Sequence, residues 1–289
     1  MDEADVQHKA RTFVADVDTT NIQNDLSAYL KAANAKVLKE ELGEGESGTT
    51  FTRPDGKHLI TVNSLESTAR QRFTVCHEIA HIVLALSSSH EAVPSWGYVK
   101  RDPNEWMCDL FAAELLMPYK LWKAKVPDGE PSQEVIEYMA AEFNSSFPAA
   151  ASRYATLADC PCAYVTMEHG KVRFAAQSMA LRRVGARIPV RSPIPSGSIA
   201  YRLRSEARSQ LDTGDVAQDV WFQDWDKGMD MLEMARHYQS SDTTVSLLWF
   251  TDEDLPVIEV NRFGVRVVED GGLAELTGEL PWPDGRKRR

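Results

Sequence analysis

The chain has 289 residues, with 32 Lys and Arg against 43 Asp and Glu, a net charge of -11 and 43% hydrophobic residues. This is the make-up of a folded globular protein and excludes collagen-like and intrinsically disordered classes. No apolar run approaches the ~18 residues of a membrane span, and Met1 to Asp5 is acidic where a secretory leader would be basic, so a cytoplasmic protein is expected. The four cysteines, at 76, 108, 160 and 162, are too few and too irregular for a disulfide framework. The acidic balance argues against a surface devoted to nucleic acid.

At about 150 residues per domain the length suggests two domains, while the hydrophobic pattern divides the chain into three regions. The first, 1–125, opens with helical stretches over Val6 to Val17 and Ile22 to Ala35. A strand pair follows, Thr49 to Thr52 and His58 to Val62, turned at Pro54-Asp55-Gly56. Next comes a helix ending at Leu86, whose Val75, Ile79, Ile82, Val83 and Leu86 share one face. A second helix spans Asn104 to Met117 and stops at Pro118. The connection between them, Ser87 to Pro103, carries His90, Trp96 and Tyr98 and is long enough to be functional.

The second region, 126–157, reads as two short helices, Glu134 to Phe143 and Pro148 to Leu157, joined by Asn144-Ser145-Ser146 in a helix-turn-helix outline. Its five acids face the single cation Arg153, so charge favours a packing or protein-contact element over a DNA reader, and direct nucleic-acid binding is disfavoured. The third region, 158–289, alternates strand-like runs (Ala163 to Met167, Val172 to Ala176, Thr244 to Phe250, Val257 to Val260, Val265 to Val268) with helical ones around Ile199 to Leu211 and Gly228 to Tyr238. That pattern predicts a small C-terminal α+β domain. Between 171 and 208 lie nine cations and one acid, read as a solvated surface by default. Cys160-Pro161-Cys162 is too short a pattern to mark a site.

The chemistry concentrates in His77-Glu78-Ile79-Ala80-His81. Positions i and i+4 lie one turn apart on one helix face, so His77 and His81 can aim two imidazoles at one metal ion. Glu78 then stands beside the ion, placed to accept a proton from water that the metal activates. A third ligand is offered by Glu105 on the following helix, and Asp109, four residues on, can hold the outer nitrogen of a ligand histidine. Cys108 is a less fitting ligand and reads as core, and Cys76 as a buried structural thiol. Histidines on a helix this greasy would lack partners without a metal.

These stretches resemble the ImmA/IrrE family of metallopeptidases. The matching residues are Ile60 to Asn63, Arg70 to His81, and Glu105 to Asp109 running into Phe111-Ala112-Ala113-Glu114-Leu115-Leu116-Met117-Pro118. The resemblance implies a zincin-like metallopeptidase domain over 1–125, with His77, His81 and Glu105 as zinc ligands (manganese being the alternative), Glu78 as general base, and Glu114 structural. The chain departs from the family by carrying Cys76 before the first ligand histidine, where Ala is usual, and Asp109 where Asn is usual. Neither departure removes a ligand.

The order of domains also resembles the radiation-response branch, in which 126–157 would be a helix-turn-helix-like segment and 158–289 a GAF-like sensor domain open to a small-molecule ligand. The implied activity is that of a gluzincin-type endopeptidase. Its implied substrate is a helix-turn-helix (XRE-type) transcriptional repressor, whose cleavage releases stress-response or mobile-element genes. The strand His58 to Asn63 is the expected edge for pairing with an extended substrate, and His90, Tyr98, Tyr119 and Arg72 are candidates for stabilising the oxyanion. The alternative is a non-enzymatic, metal-containing transcriptional regulator that binds DNA or a protein partner.

Overall fold

The computed structural model describes residues 1–43, 45–87, 102–222, 225 and 229–255. The fold is mixed α+β with two sheets. Helix α1 (Glu3–Ala15) starts in a reciprocal cap between Asp2 and Asp5, and α2 covers only Ser27–Ala32. The expected helix over Ile22 to Ala35 is therefore too long. Asn34 takes the left-handed conformation at φ 51°, which ends the helical run and launches β1 (Ala35–Glu40), a strand not foreseen.

Strands β2 (Gly48–Thr52) and β3 (His58–Asn63) form the expected antiparallel pair, but β1 joins β3 in parallel on its other side. The order β1-β3-β2 makes β3 the central strand. It has no open edge, so His58 to Asn63 cannot take a further strand, and the open edges are those of β1 and β2. Helix α3 (Thr68–Leu84) packs against β2 and β3, and α4 (Pro103–Leu116) packs on α3 and α1. A short helix α5 (Tyr119–Lys125) begins directly after Pro118.

The helix-turn-helix outline is present as α6 (Gln133–Glu142) and α7 (Phe147–Leu157), turned at Asn144 with φ 46°. Its second helix is committed to packing. Ala150, Ala151, Arg153, Tyr154 and Ala155 are buried, and Pro148 alone of its residues is exposed. Arg153 donates to Glu114 Oε2 at 2.5 Å and to the Met117 carbonyl at 3.0 Å, tying α7 to the C-terminal end of α4. The segment's one cation is thereby used internally and not offered to a phosphate backbone.

The remaining described chain comprises β4 (Cys162–Glu168), β5 (Lys171–Gln177), α8 (Met179–Arg183), α9 (Ile199–Ser205), β6 (Leu211–Ala217), α10 (Gln218–Trp221), β7 (Asp230–Tyr238) and β8 (Thr243–Trp249). All pairings are antiparallel, in the order β5-β4-β8-β7-β6. Two expectations fail here. Of the run expected as helix at 228–238, Asp230–Tyr238 forms strand β7, and the helix expected to reach Leu211 stops at Ser205 and gives way to β6. The strands expected at 257–260 and 265–268 lie outside the described residues.

Side chains alternate across this sheet, and both faces are covered. Tyr164, Met234, Val245, Leu247 and Trp249 join the core that includes α7 and the N-terminal helices. Ala163, Val165, Met167, Ala235 and Leu248 meet α9 and α10 in a second core. On that second face the buried Glu233 carboxylate accepts from the Ile199 and Ala200 amides, Trp221 Nε1 and Ser246 Oγ, clamping the start of α9 to β7. Burial pushes this carboxyl above the usual range, while those four donors pull it back.

Five of the nine cations between 171 and 208 are engaged by acids. Arg173, Arg182, Arg202, Arg204 and Arg208 pair with Glu168, Glu3, Asp212, Asp242 and Glu206 respectively. Among the described residues no helix is long and apolar enough to cross a membrane.

Candidate metal centre

Helix α3 starts at Ser67, whose hydroxyl accepts from the Arg70 amide. It carries His77 and His81 on one face, against α4. Helix α4 starts at Asp102, which caps the Asn104 amide at 2.8 Å, with Pro103 in the first turn where a missing N–H costs nothing. This start places Glu105 in the first turn of α4, opposite His77.

Three ligand-type atoms converge. His77 Nε2 lies 3.1 Å from His81 Nε2 and 3.0 Å from Glu105 Oε2, and His81 Nε2 lies 3.6 Å from Glu105 Oε1. All three residues contribute one atom each to a cluster within 4.8 Å. The edges of a tetrahedron with metal–ligand distances of ~2.0–2.1 Å are about 3.3–3.4 Å long, so the spacing suits such an ion.

The outer nitrogens sharpen the case. His81 Nδ1 lies 3.1 Å from the Leu86 carbonyl, which only accepts, so the proton sits on Nδ1 and the Nε2 lone pair points inward. His77 Nδ1 lies 2.8 Å from Asp109 Oδ1, and donation to this carboxylate leaves the second Nε2 lone pair facing the same point. Two lone pairs and a carboxylate aimed at one spot attract a cation, so the residues present fit a divalent metal. The Leu86 carbonyl reaches His81 because Ala85 ends α3 in the left-handed conformation at φ 53°. A non-glycine residue holds that conformation at a cost of roughly 1–2 kcal/mol.

Glu78 is 1% exposed, and its Oε2 accepts from the Thr50 hydroxyl at 2.6 Å. Strand β2 can lie this close to α3 because Gly48 has no side chain. A Cβ there would collide with Thr74 Cγ2 and come within 2.8 Å of the Thr61 carbonyl oxygen. Thr50 and the Leu86 carbonyl are the site groups that sequence reasoning missed. Both act through tertiary or capping contacts that no local motif announces.

Other candidates fall elsewhere. Cys108 is fully buried and outside the cluster. Burial first, then the charges of Glu105, Glu78 and Asp102, push its thiol up to about 12, so it stays protonated. Cys76 is likewise buried, its thiol pushed up to about 12 by desolvation. Arg72 lies about 140° around α3 from His77, buried and bonded at 2.7 Å to the Ile22 carbonyl, so it does not face the cluster. Tyr119 follows the far end of α4, roughly 16 Å along the helix from Glu105, with Arg11 stacked on its ring. Neither Arg72 nor Tyr119 is placed to serve as the oxyanion group, and His90 and Tyr98 lie outside the described residues.

Comparison with known proteins bears on the same region. Residues 30–154 match the IrrE N-terminal-like domain, peptidase family M78. The metallopeptidase ImmA of Bacillus subtilis (strain 168) is 24% identical over 139 residues, covering 48% of this chain and 78% of that protein. A Mycobacterium tuberculosis transcriptional regulator shares the fold with a TM-score of 0.56 at 12% identity, over 85% of this chain and 76% of the other. The matched segment contains β1 to β3, the His-Glu-x-x-His helix, the Glu105 helix, α6 and α7 as far as Tyr154. Residues 30–154 of this chain thus carry a likeness to the ImmA/IrrE family of metallopeptidase domains.

Proposed function

We propose that the chain is a zinc-dependent endopeptidase of the gluzincin type, with His77, His81 and Glu105 as metal ligands, Glu78 as general base and Asp109 as the group that orients His77. The observation that carries this reading is the convergence of two Nε2 lone pairs and the Glu105 carboxylate. Manganese is the alternative metal by ligand type. When bound, the ion would supply Lewis-acid activation of water and of the scissile carbonyl.

The chain's own residues do the rest. Asp109 and the Leu86 carbonyl keep both imidazoles in one tautomer. Thr50 fixes one oxygen of Glu78, leaving the other to accept the water proton and pass it to the leaving amine. The outer edge of β2, which carries Thr50, replaces β3 as the strand against which an extended substrate pairs. The substrate we infer is a helix-turn-helix transcriptional repressor, supported by the family and by a structural neighbour described as a transcriptional regulator. We assign 1–125 to the peptidase, 126–157 to a helical connector and 158–289 to a GAF-like sensor, all in the cytoplasm, where Cys76, Cys108, Cys160 and Cys162 stay reduced.

The test is a search for new protein N-termini in cells expressing the native chain or Glu78→Gln. One new terminus inside a DNA-binding repressor, absent with Glu78→Gln although that variant keeps its metal, is the expected result. Equal cleavage by the variant removes Glu78 from the mechanism.

A further inference from the structure

Away from the metal centre, a cavity of about 170 Å³ opens between α6 and the face of the second sheet that looks toward it. Ile136 and Phe147 form the helical side, and Met234, Val245 and Leu247 form the floor. The volume is close to the ~150 Å³ apolar cavity that admits a benzene-sized guest. Two polar groups interrupt this lining. Tyr164 is 2% exposed, and its hydroxyl is buried without a hydrogen-bond partner among the described residues. Arg236 stacks on Tyr238 at 5.1 Å, and its Nε is also buried without a partner among the described residues.

Both groups lack what a carboxylate provides. Arg236 forms no ion pair with a described residue, although Glu137 lies at the same cavity, where it is engaged by Gln133 Nε2. The Tyr164 phenol is pushed well above its ordinary value by burial and then by Tyr238, so it keeps its proton and can only gain by donating it. Buried polar groups left unpaired are costly, and native proteins pair them. The sheet supplies these residues from adjacent strands: Tyr164 on β4 pairs with Leu247 on β8, which in turn pairs with Met234 on β7, two positions before Arg236.

We propose that this cavity is a binding site for a small single-ring carboxylate, its ring packed between Ile136, Phe147, Val245 and Leu247 and its charge held by Arg236 and Tyr164. The ligand bridges α6 and the sheet. The site itself does not depend on the peptidase reading.

The probe is benzoate, with benzamide as the uncharged control of equal shape, titrated calorimetrically into the full isotope-labelled chain. Benzoate is expected to bind with a Kd below about 1 mM, benzamide at least tenfold more weakly, and Arg236→Met to weaken benzoate at least tenfold. Tyr164→Phe, which keeps the ring and the packing, should weaken benzoate by about threefold to tenfold. Nuclear Overhauser contacts from the benzoate ring should reach the methyl groups of Ile136, Val245 and Leu247, which locates the guest whatever the variants do. Benzoate binding absent up to about 10 mM, equal affinity for benzamide, or contacts to other methyl groups would each overturn the proposal.

Discussion

Replacing Asp109 with Ala tests the metal centre without touching a ligand. Asp109 Oδ1 sits 2.8 Å from His77 Nδ1, with the two side chains 19% and 14% exposed, so the bond is partly screened. Its loss has two consequences. The imidazole loses the acceptor that holds its proton on Nδ1, and the proton can move to Nε2, where Glu105 Oε2 waits 3.0 Å away. That new hydrogen bond stabilises the metal-free state and has to be broken for metal to enter. Partners of this kind are worth 10–100-fold in metal affinity, and partial exposure places the expected loss near the middle, about thirtyfold or roughly 2 kcal/mol. Asp109→Asn keeps a carbonyl oxygen as acceptor and should lose less than about fivefold. Competition for zinc between the metal-free protein and a chromophoric chelator reads both values. Wild-type affinity in Asp109→Ala, or equal losses in the two variants, would refute the tautomer argument.

Three further outcomes follow from the packing. Gly48→Ala should push β2 off α3, destabilise the fold by about 1–3 kcal/mol in urea titrations and loosen the Thr50 hold on Glu78, slowing any Glu78-dependent cleavage further than the stability loss explains. Arg153→Met leaves the buried Glu114 carboxylate with only the Tyr119 amide and Arg11 at 3.8 Å and should cost up to about 3 kcal/mol, with much of the loss recovered in the Glu114→Gln, Arg153→Met double variant. Arg204 donates from Nε and Nη2 to Asp242, each at 2.8 Å, holding that carboxyl below the usual range. The resulting stabilisation is complete above the ordinary aspartate value of about 3.9 and is lost as pH falls through the lower folded value. With both side chains more than a third exposed, Arg204→Met should flatten the acid limb of a melting-temperature profile by no more than about 1 kcal/mol.

The site was legible in the sequence where it depends on helical spacing alone. His77 and His81 share a face because they are one turn apart, and Glu105 and Asp109 do so for the same reason. What lay beyond spacing was not legible. Nothing in Gly48-Thr49-Thr50 announces that a missing side chain lets Thr50 reach Glu78, and the role of the Leu86 carbonyl depends on a left-handed Ala85. Strand β7 reads as helix because Met231, Leu232, Glu233, Met234 and Ala235 are good helix formers. It becomes a strand because both its edges are hydrogen-bonded, to β6 and β8, in the middle of a sheet covered on both faces. The position of β3 at the centre of its sheet was hidden too, since β1 lay unrecognised just after the run taken for helix.

The place of β8 has a consequence for how the chain assembles during synthesis. It is the last strand described, yet it lies at the middle of its sheet, between β4 and β7. Until residues 243–249 have emerged from the ribosome, β4–β5 and β6–β7 are two separate hairpins, each with a greasy unpaired edge. The joining step requires contacts across more than seventy residues, from Cys162 to Trp249, which makes it slow and leaves the edges open to wrong partners in the meantime. A chain stopped before Thr243 would lose the seam of this sheet and, with it, Val245 and Leu247 from the cavity floor opposite Ile136.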